Sequence, residues 1–203
     1  MFTLDQYSAL MREFSNASIK SRTVSSALAE QPDKSELFIK HDVEAFPSRA
    51  LDVGRIESIY GHKSTFYFQS YLLEDAHTFE IIAELINLGH EIGYHYDVLD
   101  NNNGDYQKSL AEFDSNIKLF ENAGVIVSTV CPHGNPTKIR RGWKSNKDFF
   151  KKEFVRSKYS DIVDIVVDYP RLFKSGIYIT DAGRGLKIIE SINSNDGAGN
   201  EAT

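Results

Sequence analysis

Phe38-Ile39-Lys40-His41-Asp42-Val43-Glu44-Ala45-Phe46-Pro47 is the stretch from which the rest of the chain can be read. The apolar run Leu37-Phe38-Ile39 stops in His-Asp-Val-Glu, and a proline follows. Such a run reads as a strand buried on both faces, as in a parallel sheet. Charge at its carboxyl end is costly to desolvate unless something pairs it. That end is also where ligands and chemistry collect in folds built on parallel strands. Asp42 and Glu44 are two apart, so in extended chain they point the same way. The rest of the chain is expected to supply their partners.

Working outward, strands and helices alternate. Residues 3–15 predict a helix capped by Thr3, with Leu4, Tyr7, Leu10, Met11 and Phe14 on one face. The Ser- and Ala-rich segment 15–32 has room for a second, weaker helix. The first strand covers 36–42. Pro47 opens a helix to about residue 60 with Ala50, Val53, Ile56 and Ile59 as its apolar stripe. A β-branched and aromatic strand follows at 64–69. Next come a helix at 78–88 (Phe79, Ile82, Leu85 and Ile86 inward), a strand at 90–95, a polar loop at 97–105, a helix at 106–123 and a strand at 125–131. Gly61, Gly89 and Gly124 are natural helix stops. Beyond Pro132 the spacing predicts a loop at 134–146, a short helix at 147–154, strands at 162–168 and 176–180, and a disordered tail from 193. Alternation of this kind implies parallel strands joined by right-handed crossovers. The expected division is an N-terminal helical segment, 1–30, packed on a domain of parallel strands and crossover helices, 31–192, with the tail 193–203.

The bulk composition narrows the class. The chain has 203 residues, 41% hydrophobic and 26% charged, as in an ordinary globular domain. A net charge of -6 and a pI near 5.5 argue against nucleic acid or an anionic membrane as partner. The single cysteine, Cys131, allows no internal disulfide. No signal peptide and no membrane span are expected, so a cytoplasmic location is the default.

Three strand ends carry reactive groups: Asp42 and Glu44 after the first, His95 after the third, His133 after the fourth. One carboxylate and two histidines, with positions left for water, suit zinc or another divalent metal. A second carboxylate beside them can take a proton from water. Each residue also has a plainer use. Asp42 and Glu44 can cap the following helix. A strand-end histidine is more often a hydrogen-bonded structural residue. His133 can serve a tight turn between Pro132 and Gly134. His62 and His77 lie at helix ends, where solvent is the natural partner. The basic loop Lys138 to Lys144 reads as solvated, or as a holder of an anionic substrate group. Cys131 reads as a buried strand residue.

Taken together, His41-Asp42-Val43-Glu44, Lys63-Ser64-Thr65-Phe66-Tyr67-Phe68 and Leu88-Gly89-His90-Glu91-Ile92-Gly93-Tyr94-His95 resemble the polysaccharide deacetylase family, the NodB-homology domain of carbohydrate esterase family 4. The resemblance covers about residues 36–136 and continues more loosely to about 186. It implies an irregular (β/α)7 barrel, incomplete if the last strands are lost. It implies a metal-dependent hydrolase, with zinc as the expected metal, that removes an acyl (acetyl) group from a carbohydrate in cell-surface polysaccharide metabolism. By that resemblance Asp42 is the general base and Glu44 and His95 are metal ligands; Val130-Cys131-Pro132-His133-Gly134-Asn135-Pro136 stands for the third motif, where His133 can supply a further imidazole to the metal, and His41, Asn135 and Asp181 are substrate-binding candidates. Three family features are missing. Leu99 stands where a second histidine is expected, the third motif has no arginine, and no histidine follows His133. A carbohydrate-binding relative that has lost the chemistry is the alternative.

Overall fold

The structure, a computed structural model, describes residues 3–30, 32 and 36–173, with the backbone of 178–180 and 187–189. Asp181 and the expected tail from 193 lie outside the described residues. In chain order the elements are α1 (Leu4–Asn16), β1 (Ser21–Arg22), α2 (Ser26–Ala29), β2 (Leu37–Phe38), β3 (Lys40–Val43), α3 (Pro47–Ile59), β4 (Thr65–Phe68), α4 (Ala76–Asn87), β5 (Glu91–Tyr96), α5 (Val98–Asn101), α6 (Tyr106–Asn122), β6 (Thr129–Pro132), α7 (Glu153–Lys158), β7 (Val163–Asp164), α8 (Tyr169–Leu172), β8 (Tyr178–Thr180) and β9 (Lys187–Ile189). The α1 cap is the one expected: Thr3 Oγ1 accepts from the Gln6 amide at 3.2 Å, and the Gln6 side chain accepts from the Thr3 amide at 2.9 Å.

Five parallel strands form the central sheet in the order β3-β4-β5-β6-β7. Strand order equals chain order, so right-handed crossovers put the connecting helices on one face. Residues of α3, α4, α6 and α7 share one apolar cluster with Val43, Phe66, Phe68, Ile92, Tyr94 and Val130. The opposite face carries Lys40, Asp42, Tyr67, Gly93, His95 and Cys131, by the period of two along each strand. Tyr67 and Cys131 cluster there with Val24, Ile165 and Leu172, so α8 and the segment before α2 cover its lower part. Gly93 has no side chain for a reason: an added Cβ would meet the Tyr67 ring at 2.5 Å and the Thr129 carbonyl at 2.8 Å. The missing side chain lets Tyr67 lie across the sheet and reach Thr129 Oγ1 at 3.0 Å.

Several expectations are corrected. The α3 stripe does not run through Ile59, which is 75% exposed, while Glu57 is fully buried. Spacing of three slips about 60° per step on a helix, so nine residues turn Ile59 half a circle away from Ala50. The buried line is Ala50, Gly54 and Glu57 instead. On α4, Ile86 comes out on the exposed side. His62 is not solvated: it is buried, with Nδ1 3.1 Å from Ser21 Oγ and Nε2 2.9 Å from the Met11 carbonyl. The loop expected at 97–105 contains α5, which buries Val98 and Leu99. The expected helix at 147–154 is displaced to α7, and the expected strand at 162–168 shrinks to two residues.

The burial of Glu57 makes a polar knot beneath the helices. His41 Nε2 lies 2.8 Å from Glu57 Oε1, Ser64 Oγ donates to Oε2 at 2.5 Å, and Tyr7 of α1 donates to Oε1 at 2.5 Å. Burial opposes ionisation of Glu57, but these partners outweigh it and hold the carboxyl below its ordinary value. His90 accepts from the Ser64 amide at Nδ1, so its proton is on Nε2, facing the Gly54 carbonyl at 3.0 Å. Burial keeps His90 below the ordinary histidine value.

Both shifts have the same sign for stability. Below about 6.5 the unfolded chain takes a proton at His90 that the folded chain resists, and below about 4.5 the same holds at Glu57. Stability is therefore expected to fall as pH drops from about 7 to 4. Urea unfolding across that range reads it, and Glu57→Gln should flatten the lower part of the decline. A pH-independent urea midpoint would contradict the assignment.

Candidate metal centre

The carboxyl ends of β3, β5 and β6 bring the predicted ligands together. Glu44 Oε1 lies 3.2 Å from His95 Nε2 and 3.2 Å from His133 Nε2. The two imidazoles stand edge to face, 5.1 Å between centroids. One ligand atom from each of the three residues lies within 4.8 Å of the others. His95 is buried, His133 is 20% exposed at its side chain and Glu44 is 50% exposed, so the group opens to solvent on the Glu44 side. His95, followed by His133, holds the Glu44 carboxyl below its ordinary value.

Local backbone explains how each side chain arrives. β3 leaves the sheet at Glu44 and turns through Phe46, whose φ of 51° is in the left-handed region, into α3. Among the described residues no side chain caps α3, so Asp42 and Glu44 do not act as its cap. Tyr71 donates its hydroxyl hydrogen bond to the Glu44 carbonyl. His133 follows β6, and its amide donates to the Tyr96 carbonyl at 2.7 Å, which extends the β5–β6 pairing by one residue. The loop beyond it is pinned by Asp100. That buried carboxylate accepts from Arg140 at 2.8 and 2.6 Å, from Trp143 Nε1 at 2.8 Å and from Asn146 Nδ2 at 3.0 Å. Asn146 Nδ2 also donates to the His133 carbonyl at 2.9 Å.

The donor atoms fit a cation. His95 Nδ1 faces the Cys131 carbonyl at 3.0 Å. A carbonyl only accepts, so that nitrogen carries the hydrogen. The Nε2 of a neutral His95 then points a bare lone pair at a carboxylate oxygen 3.2 Å away. A proton or a metal ion must stand between two such acceptors. His133 turns its Nε2 to Glu44, and its far nitrogen, Nδ1, is buried with no hydrogen-bond partner among the described residues. The backbone partner on the far nitrogen of His95 is also the usual way a metal-binding imidazole is oriented.

A second group, Asp42, His95 and Cys131, is equally close-knit. It differs in already holding a cation. Lys40 Nζ lies 2.8 and 2.7 Å from the two Asp42 oxygens and 3.7 Å from Cys131 Sγ. Burial works against the Asp42 charge, but Lys40, with His95, holds the carboxyl below its ordinary value. Among the described residues, the metal-capable set without a built-in ammonium is therefore Glu44, His95 and His133.

Other predicted residues are not drawn in. His41 sits on the helix side of β3, stacked on Phe66 and bonded to Glu57. Neighbouring residues on a strand face opposite ways, which separates it from Asp42. Asn135 shapes its own turn, accepting from Thr137 Oγ1 at 3.0 Å. Glu91 shares the His95 face but is held at the other end of β5 by Thr65, Thr129 and the Ser25 amide. Leu99 is buried in the core. Arg140 is committed to Asp100, so the basic loop is not a wholly solvated cluster. Three neighbours escaped the sequence reading: Lys40, Asp97 and Asp100. Lys40 was within reach, since alternation one step back from Asp42 puts it on the same face. Asp97, raised above its ordinary value mainly by burial and lying near His133, had no signal beyond its place in a polar run.

No protein-family model, no curated protein and no solved structure matches the chain. Fold and geometry together define an α/β protein with a cluster of possible metal ligands at the carboxyl end of a parallel sheet.

Asn146 is expected to matter without touching a metal. If Glu44, His95 and His133 hold Zn2+, Asn146→Ala, which frees the His133 carbonyl, should weaken that binding about 10–100-fold, the range for losing an outer support of a ligand. Competition with a chromophoric chelator measures it. Unchanged affinity in a folded variant would remove Asn146 from the account.

Proposed function

We propose that the chain is a divergent, metal-dependent hydrolase of polysaccharide deacetylase type, which removes an acyl group from a sugar. Its sheet would be five consecutive strands of the irregular barrel that the sequence resemblance implies. The observation that carries the proposal is Glu44 Oε1 set 3.2 Å from two imidazole nitrogens, with Asp42 on the strand just behind. Zinc suits that donor set of one oxygen and two nitrogens. When bound, such an ion supplies Lewis-acid polarisation of the acyl oxygen.

The chain's own residues do the rest. Asp42, kept ionised by Lys40, accepts a proton from the attacking water. The water oxygen bonds to the acyl carbon as the carbon–nitrogen or carbon–oxygen bond breaks. Asp42 can then return its proton to the departing amine or hydroxyl. That single acid–base cycle needs no later histidine, and the sequence has none after His133. A carboxylate held below its ordinary value is a weak base, so slow turnover is expected.

The rival reading is a carbohydrate-binding relative without chemistry. The same strong Lys40–Asp42 pair favours it, because a fixed ion pair is a poor proton shuttle. Metal analysis of the purified protein and acetate release from acetylated oligosaccharides separate the two. Asp42→Asn should lower acetate release by about 10²–10⁴-fold while metal stays bound. His95→Ala should lower both. Bound metal with no acetate release from any acetylated sugar favours the rival, and full activity in both variants sinks the hydrolase.

A further inference from the structure

The two close-knit groups overlap at one residue, His95. His95 Nδ1 is committed to the Cys131 carbonyl, so only Nε2 can serve either group. A single ion at Nε2 therefore faces a choice. On the rim it finds Glu44 and His133. Inward it finds Asp42 and Cys131. The donors differ in kind. The rim set is carboxylate and imidazole, while the inner set offers a thiol that becomes a soft thiolate ligand when a metal takes it. Zinc, cobalt and cadmium all bind thiolates well, so donor chemistry alone would draw them inward.

Lys40 stands in that inward place. Its Nζ is bonded to both Asp42 oxygens and lies 3.7 Å from Cys131 Sγ. A metal ion among Asp42, His95 and Cys131 would have to displace this ammonium or share a carboxylate with it at close range. We propose that Lys40 is a selectivity residue: its fixed positive charge closes the thiol-bearing set and confines the metal to Glu44, His95 and His133. Asp42 is thereby kept out of the coordination sphere and left to handle protons. The inference rests on the metal-dependent reading above, and goes beyond it by assigning the choice of ligands to one side chain.

The test is Co2+ absorption on the full-length chain, because a cobalt–thiolate bond adds a near-ultraviolet charge-transfer band that carboxylate and imidazole ligands lack. Wild type at one equivalent of Co2+ should show visible ligand-field bands and no thiolate band. Lys40→Met should gain the thiolate band, Lys40→Met with Cys131→Ser should lose it again, and Lys40→Arg should behave as wild type. A thiolate band in wild type overturns the proposal. So does a Lys40→Met protein that binds Co2+ without the band, or a Lys40→Arg protein that shows it as strongly. Should Lys40→Met fail to fold, Lys40→Gln repeats the arm, and the wild-type spectrum still decides against the proposal by itself. A wild type that takes up no Co2+ sinks the metal-dependent reading instead, which keeps the two failures apart.

Discussion

A parallel sheet covered by helices on one face and partly covered on the other must neutralise any charge it carries where that charge stands, and this constraint orders the face opposite the helices. At its lower end Glu91 accepts hydrogen bonds from Thr65, Thr129 and the Ser25 amide. Neutral donors suffice there. One level up, Asp42 is met by the Lys40 ammonium. At the rim Glu44 has two imidazoles against one oxygen, and His95 can offer that oxygen a hydrogen only by becoming a cation. Internal pairing is thus made by neutral donors at the bottom, by a built-in ammonium in the middle and, at the top, by imidazoles that need a proton or another cation between them and Glu44. A cation site is expected at the top, because there an incoming ion takes the place of a proton rather than of a fixed ammonium.

The other face of β3 solves a different problem. His41 is the chain neighbour of Asp42, yet its partner Glu57 is 0% exposed beneath α3. Glu57 gathers donors from β3, from the residue before β4 and from α1, so one buried carboxylate ties the N-terminal helix to the first two strands of the sheet. Removing a donor would strand a buried charge, a cost of several kcal/mol in comparable pairs. His41 and Asp42 therefore belong to different systems although they are adjacent: one holds the fold, the other lies beside the candidate centre.

The sequence showed what depends on period and on strand ends. The alternation of strands and helices, the Thr3 cap and the meeting of Glu44, His95 and His133 all follow from spacing plus the parallel-sheet rule. It was less informative wherever a partner comes from far along the chain. Glu57 looks like a surface residue on a helical wheel until Tyr7, His41 and Ser64 are in place. His62 is buried only because Ser21 and the Met11 carbonyl receive it. Arg140 sits in a basic, polar stretch, and its partner Asp100 lies 40 residues earlier. The run of three asparagines concealed α5, since the two residues that bury it, Val98 and Leu99, precede the run. In each case local composition argued for solvent and tertiary pairing overrode it.

Leu99 sharpens what a missing ligand means. At the position where the resemblance expects a second histidine, this chain places a leucine in the core. The next residue, Asp100, gathers Arg140, Trp143 and Asn146 and so fixes the loop that follows β6. Through Asn146 that anchor reaches the carbonyl of His133, whose ring meets Glu44 from β6 rather than from the end of β5. Lys40 parallels this one level lower, a cation from β3 on Asp42 where the resemblance expects an arginine from the third motif. On the proposed deacetylase reading, the chemical group would in both places be supplied from a different strand. A motif is a statement about donors in space, and the same donors can be delivered by other segments when a buried anchor such as Asp100 makes the new segment rigid.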